Sequence, residues 1–244
     1  MIVFKNVLFK RNDRIILDNI NFTINYNEKV AVLGGSGQGK TTILRLILGL
    51  LQADYGNILI DGKDITIIKE SLLTQIRRNF SIVFQDGALF DSMTVKENVA
   101  FYMREYSKLT EPEIDFQVKK LLSRVDMEHS VNLMPEELSG GMLRRVAIAR
   151  SLAAPEPSMF LYDEPTSDLD PISASKIRSL ITSLTNNNRG FIIVTHEIMD
   201  AVKLAKRFMF LQNGQIIFDG NREQLISSND PAVELFLEDW KKVL

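Results

Sequence analysis

The sequence predicts an α/β fold: a mixed sheet, with an antiparallel β part at the N-terminus and a parallel sheet flanked by helices, interrupted by an inserted α-helical subdomain. Three observations predict it. Wholly apolar strands, "KVAVLGG", "SIVFQD", "MFLYDE" and "FIIVTH", alternate with helical patterns, as a parallel sheet covered on both faces requires. The first two β-rich runs, "IVFKNVLF" and "IILDNINFTI", are separated by polar turn residues. From Met93 to Arg150 the pattern becomes helical and interrupts the alternation.

In order, "KVAVLGG" is a buried strand running into a Gly-rich loop, and a helix follows from about Thr41 to Leu50. "SIVFQD" is the next buried strand. In the helical middle, Thr110 and Glu113 form a capping box. Ile114, Val118, Leu121, Leu122 and Val125 then share one helical face. "RFMFLQNGQIIFDG" is a hairpin in which Asn213-Gly214 supplies the left-handed turn. In the tail, Asp230 caps a helix with Pro231 at its first position. Val233, Phe236, Leu237, Trp240 and Val243 form a stripe that packs on this chain's own core or docks onto another subunit.

Composition narrows the function classes. A chain of 244 residues, 45% hydrophobic and 25% charged, fits one large domain or a domain with a subdomain. The net charge of −2 gives no electrostatic case for nucleic acid. The absence of cysteine excludes disulfides and thiolate metal sites. "MIVFKNVLFKRND" has no signal-peptide core. "ILRLILGLL" contains Arg45 and is shorter than the roughly 18 apolar residues of a membrane span. A membrane role therefore requires a partner.

The chemistry lies at the strand ends. "GGSGQGKTT", Gly34 to Thr42, fits G-x-x-x-x-G-K-[ST] between a strand and a helix, the context of a P-loop. Backbone N–H groups of Gly34, Gly35, Ser36, Gly37, Gln38 and Gly39 can curl around phosphates, with Lys40 reaching the β- and γ-phosphates and the Thr41 hydroxyl ligating Mg²⁺. "MFLYDE" ends in Asp163, placed for the Mg²⁺ shell, and Glu164, placed to orient or deprotonate water. His196 ends "FIIVTH" and can contact a γ-phosphate. Gln85 ends "SIVFQ", and its amide can reach both Mg²⁺ and water. His129 reads as a surface residue. "LSGGMLRR", from Leu138 to Arg145, opens a helix with Ser139, Gly140 and Gly141, a second start suited to an anion.

The ordered set of P-loop, Gln85, "LSGGM", "MFLYDE", "SDLD" and His196 resembles the ATPase subunit of ABC transporters over residues 2–221. The resemblance implies an ABC ATPase domain over 1–221, with a catalytic core of 1–86 and 158–221, a helical subdomain of 87–157 and a helical tail of 222–244. It makes Gln85 the Q-loop residue, Ser139 to Met142 the signature, Ser167 to Asp170 the D-loop and His196 the switch histidine. It implies head-to-tail dimers in which Ser139, Gly140 and Gly141 of one copy face the ATP held by Lys40, Thr41 and Thr42 of the other, with Asp170 at the same seam. The implied catalytic group is Glu164, His196, Gln85 and Lys40, the metal group Thr41, Gln85 and Asp163, and the cofactors ATP and Mg²⁺.

Two positions depart from the family pattern. Met142 stands where a glutamine is usual. Arg11 stands where an aromatic residue packs on adenine; its planar guanidinium either stacks in that place or is a solvated loop cation, and Phe9 is the alternative. "GALF", "NVAF" with a following arginine, and "LMPEELSGGM" are similar to the ATPases of Mla-type, MCE-associated phospholipid transporters, in which both departures are expected. That similarity implies two membrane permease subunits, a lipid-carrying MCE protein, a small STAS-domain regulator in some complexes, and a place on the cytoplasmic face of the inner membrane. Phe90, Met93, Val95, Phe101 and Tyr102 either pack internally, as most of them should, or offer an apolar groove to a permease helix, which needs only two or three of them exposed. The competing readings are an ABC importer for another small substrate and a nucleotide-gated binding module without turnover. Repair and translation ATPases carry a coiled-coil insertion or a second ATPase unit that this sequence lacks.

Overall fold

The computed structural model describes residues 1–154, 157–185 and 189–241. The N-terminal antiparallel sheet has the order β2-β1-β4-β5, from β1 (Ile2–Arg11), β2 (Arg14–Ile24), β4 (Tyr55–Ile60) and β5 (Lys63–Asp64). Asn12 and Asp13 turn β1 into β2 with φ of 48° and 62°, the left-handed pair whose twist matches that of the flanking strands.

The second sheet has the order β10-β9-β3-β8-β7-β6. Its members are β3 (Lys29–Leu33), β6 (Phe80–Val83), β7 (Met159–Asp163), β8 (Gly190–Thr195), β9 (Arg207–Gln212) and β10 (Gln215–Gly220). The first five run parallel, and β10 returns antiparallel to β9 through Asn213 and Gly214, with φ of 48° and 78°. Strand β3 faces two cores: Ala31 and Leu33 enter one, Val30 and Val32 the other. The mixed α/β architecture expected from the alternating pattern is therefore observed.

Helix α1 (Lys40–Ile47) stops short of Leu50. Gly49, at φ 59°, ends it in a Schellman motif: its N–H donates to the Leu46 carbonyl at 3.0 Å, and the Leu50 N–H donates to Arg45 at 2.8 Å. Helix α2 (Glu70–Arg77) precedes β6. Between β6 and β7 lie α3 (Val95–Tyr106), α4 (Glu111–Ser123) and α5 (Gly140–Ser151). The Thr110 N–H donates to the Glu113 carboxylate at 2.7 Å, and Ile114, Val118, Leu121, Leu122 and Val125 are all buried. Helices α6 (Pro171–Leu184) and α7 (Ile198–Leu204) cross between the last parallel strands, and α8 (Arg222–Ile226) and α9 (Pro231–Lys241) complete the order. Asp230 Oδ1 caps α9, accepting from the Ala232 and Val233 N–H groups at 2.9 and 3.3 Å. Val233, Leu237 and Trp240 are buried in the same core as α5 and β7, and Phe236 packs edge-on to Phe210. That stripe thus packs on its own chain; Val243 lies outside the described residues. Among the described residues no helix is long and apolar enough to cross a membrane.

Candidate nucleotide site

The sheet register assembles the site. Val83 pairs with Tyr162, Asp163 with Val194 and Leu33 with Thr195, so β6, β7, β8 and β3 end side by side. Gln85, Glu164, His196 and the Gly-rich loop follow directly, at the carboxyl ends where α/β sheets bind ligands. Gly34 can be no other residue: at φ 153° a Cβ would lie 2.3 Å from the Leu211 carbonyl oxygen. Gly39, at φ 101°, passes close to Ile16 and Leu17, with a Cβ 3.1 Å from each. Among the described residues, none of the N–H groups of residues 35–39 donates to a protein acceptor, which leaves them for an anion.

The Lys40 ammonium is buried and fully engaged. It donates to the Gly34 and Gly35 carbonyls, both at 3.0 Å, and lies 3.2 Å from Glu164 Oε1. The other Glu164 oxygen, Oε2, accepts from the His196 backbone N–H at 3.2 Å and sits 2.9 Å from His196 Nδ1. Glu164 itself is held at φ 46°, a left-handed conformation for a non-glycine residue that the surrounding bonds maintain. The Thr41 hydroxyl donates to Asp163 Oδ1 at 2.8 Å. Burial raises the Asp163 carboxyl above its ordinary value; the Thr41 hydrogen bond opposes that and the adjacent Glu164 charge adds to it. One hydroxyl and one carboxylate suit Mg²⁺, which takes one or two protein oxygens and completes its shell from phosphates and water.

A cavity of about 540 Å³ opens above these groups. Arg11, Ser36, Gly37, Gly39, Lys40, Thr41, Thr42, Gln85 and Glu164 line it, and so does Phe9. Both candidates for the adenine contact therefore reach it. Gly34 and Gly35 contribute through the carbonyls that hold Lys40. The Gln38 side chain turns away to accept from the Asn213 N–H at 2.7 Å. Ser139, Gly140, Gly141 and Asp170 do not line the cavity. Ser139 caps α5, its Oγ accepting from the Met142 N–H at 3.4 Å, which leaves its own proton to donate outward. Asp170 caps α6, accepting from Ile172 and Ser173 N–H groups at 3.0 Å. Met142 is half-buried against the core.

These features match an established group. The family model for ABC transporters matches residues 17–167. The chain belongs to the ABC transporter family. It is 40% identical over 239 residues to the intermembrane phospholipid transport system ATP-binding protein MlaF of Haemophilus influenzae, covering 98% of this chain and 90% of that one. MlaF of Escherichia coli K12 is 38% identical, with 98% and 88% covered. The dimeric post-hydrolysis state of the ATP-binding cassette MJ0796, bound to ADP and Pi, superposes with a TM-score of 0.83 at 32% identity, covering 91% of this chain and 98% of that chain.

Three supporting groups of this ABC cassette carry no sequence signal of their own. Asp200, wholly buried on α7, accepts from the Thr166 hydroxyl and from Arg178 Nη1, the latter at 2.8 Å, and so braces the loop after Glu164. Arg150, at the end of α5, donates to the Gly87 and Ala88 carbonyls at 3.0 and 2.6 Å and braces the turn after Gln85. Their partners lie tens of residues away in sequence, so no local spacing could reveal them. The third is Arg144, buried on α5.

A second groove of about 450 Å³ lies beside that turn, lined by Phe90, Phe101 and Tyr102 with Arg77, Arg78 and Arg150. Three of the five candidates thus line it, and the other two do not. Val95 is wholly buried because it begins α3 facing the core, and Met93 does not line the groove.

Proposed function

We propose that this chain hydrolyses ATP, as the ATP-binding subunit of a phospholipid transporter. The carrying observation is Glu164, held between Lys40 at 3.2 Å and His196 at 2.9 Å, one residue from the Thr41–Asp163 pair. A γ-phosphate entering the P-loop exchanges with Glu164 as the third partner of Lys40. Glu164 is then released to accept a proton from water. The water oxygen bonds to the γ-phosphorus, the bond to the bridging oxygen of ADP breaks, and the proton held on Glu164 leaves with the products. His196 keeps Glu164 and the γ-phosphate in register, and Gln85 orients the water from the cavity wall. Thr41 and Asp163, with Gln85 nearby, would hold Mg²⁺, which would supply positive charge to the phosphates. Ser139 and Gly141 of a second copy donate to the γ-phosphate, so that each ATP lies between two chains. Catalysis is positioning and electrostatics, with dimer closure driving a membrane partner.

The lipid assignment rests on relatives named for intermembrane phospholipid transport. It carries with it two permease subunits seated on the aromatic groove, an MCE protein, a STAS-domain regulator and a place at the cytoplasmic face of the inner membrane. Phosphate release by the full chain with Mg²⁺ and ATP tests the enzyme reading; no release above background leaves a nucleotide-gated binding module. Pull-down from membranes tests the transport reading. Recovery of a permease with an MCE protein supports it, and recovery of a permease with an amino-acid or metal binding protein replaces the substrate class.

A further inference from the structure

Helix α5 carries an arginine that the hydrolytic scheme does not use. Arg144 lies one turn into the helix and is only 8% exposed. Its Nε is buried with no hydrogen-bond partner, and the guanidinium forms no ion pair among the described residues. Buried cations are ordinarily paired, because an unpaired charge in a low-dielectric setting is costly. Burial works against the charge of Arg144, and Asp86, Asp168 and Asp163 work for it, in that order. The three acids come from separate parts of the site: Asp86 follows Gln85, Asp168 lies in "SDLD", and Asp163 holds Thr41.

Packing ties α5 to two of those parts. A Cβ on Gly87 would lie 2.1 Å from Leu143 and 3.5 Å from Ala147, so the turn after Gln85 rests directly on α5. A Cβ on Gly141 would lie 3.1 Å from the Ser173 hydroxyl, and one on Gly140 3.4 Å from Leu169, so the start of α5 rests on the loop before α6 and on its first turn. Asp163 is already held by Thr41. Asp86 is exposed and makes no hydrogen bond or ion pair among the described residues. A forked donor without a partner and a free carboxylate therefore sit on two segments that pack directly against each other.

We propose that Arg144 is a positioning residue which pairs with Asp86 when the Ser139 end of α5 engages a nucleotide, and so carries that engagement to Gln85. The proposal rests on the ATP-sandwich reading above. Ser139 would serve the partner's ATP, whereas Gln85 serves this chain's own. Arg144 is then the link by which filling one ATP site prepares the other.

The test is Arg144→Met, Asp86→Asn and the double variant in the full chain. Phosphate release is followed against ATP concentration, and Tm is measured without nucleotide. Arg144→Met should lower kcat about ten-fold, equivalent to about 1.4 kcal/mol in barrier, with KM for ATP changed less than about two-fold. Its Tm should stay level or rise, because no hydrogen bond or ion pair among the described residues is lost and a buried N–H without a partner is removed. The Hill coefficient for ATP should fall toward one, and Asp86→Asn should add little in the double variant. A kcat within about two-fold of wild type, or independent multiplication of the two single effects, overturns the proposal. A fall in Tm accompanying the fall in kcat marks a structural strut and overturns it as well. An inactive wild-type chain overturns both this proposal and the enzyme reading, whereas an active wild type with a normal Arg144→Met overturns this proposal alone.

Discussion

At the P-loop, the polar side chains find their partners inside the chain, and only the backbone N–H groups of residues 35–39 are left for an anion. Lys40 has two carbonyls and Glu164, Thr41 has Asp163, and Glu164 has Lys40 and His196. At the start of α5 the opposite holds. Gly140 and Gly141 open the helix outside the cavity, Ser139 keeps its proton free, and Arg144 is buried with Nε unpaired. Both regions begin helices suited to an anion, and their difference shows how the work is divided. The P-loop half is preorganised, so that the exchange of Glu164 for phosphate at Lys40 is the one change of partner its side chains need. The α5 half is complementary to something outside the chain and gains its interactions only on assembly. On this division, damage at the P-loop side should stop chemistry outright, and damage at the α5 side should weaken closure.

The strongest attempt to break that division is Glu164→Gln. Loss of the base should lower kcat by about a hundred- to ten-thousand-fold while ATP still binds. The amide also removes the buried negative charge beside the γ-phosphate, so ATP-bound dimers should accumulate on size exclusion. Unchanged turnover would remove Glu164 from its role. Ser139→Ala probes the other half. Loss of its donor should lower kcat about ten- to a hundred-fold, with ATP binding to the single chain unaffected. The same change removes the helix cap and should cost about 1 kcal/mol of stability by denaturant unfolding. Equal losses of nucleotide binding and turnover would instead place Ser139 in its own chain's site.

Arg11→Ala sharpens the P-loop half. Loss of a cation–π-type contact of about 0.5–1 kcal/mol should raise KM for ATP about two- to five-fold, with kcat changed less. Arg11 is exposed but lines the cavity along with Phe9. No effect on KM would return Arg11 to the solvent and leave Phe9 as the adenine contact.

The parallel sheet is legible in the sequence because its strands are buried on both faces and read as unbroken apolar runs, "FIIVTH" being the clearest. The P-loop is legible because its glycines obey backbone constraints that show as spacing; Gly34 faces the Leu211 carbonyl. Glu164 and His196 are legible as strand ends, but the bonds joining them depend on the register of β7 with β8, which no local window contains. The braces at Asp200 and Arg150 are hidden for the same reason. The sequence leaves Val95 between groove and core, because an apolar residue at a helix start serves either face, and packing decides for the core. The tail stripe poses the same choice between two surfaces, and the large core supplies its nearer partner.

The smallest effect expected is the most informative about the α5 half. Met142 occupies the position where the family usually carries glutamine, directly after the two glycines. If phosphate recognition there depended on that side chain, methionine would be a defect. In the structure Met142 serves its own chain instead. Its side chain packs half-buried against the core, and its backbone N–H donates to Ser139. The proposed phosphate donors, the Ser139 hydroxyl and the Gly141 N–H, do not involve its side chain. Met142→Gln should therefore leave kcat and KM within a few-fold. Stability should fall slightly, because an amide at a half-buried site loses part of its hydration while filling the same volume. A change in turnover of about a hundred-fold, roughly 2.7 kcal/mol, would mean that residue 142 itself meets the nucleotide, and that the donor set assigned to α5 is wrong.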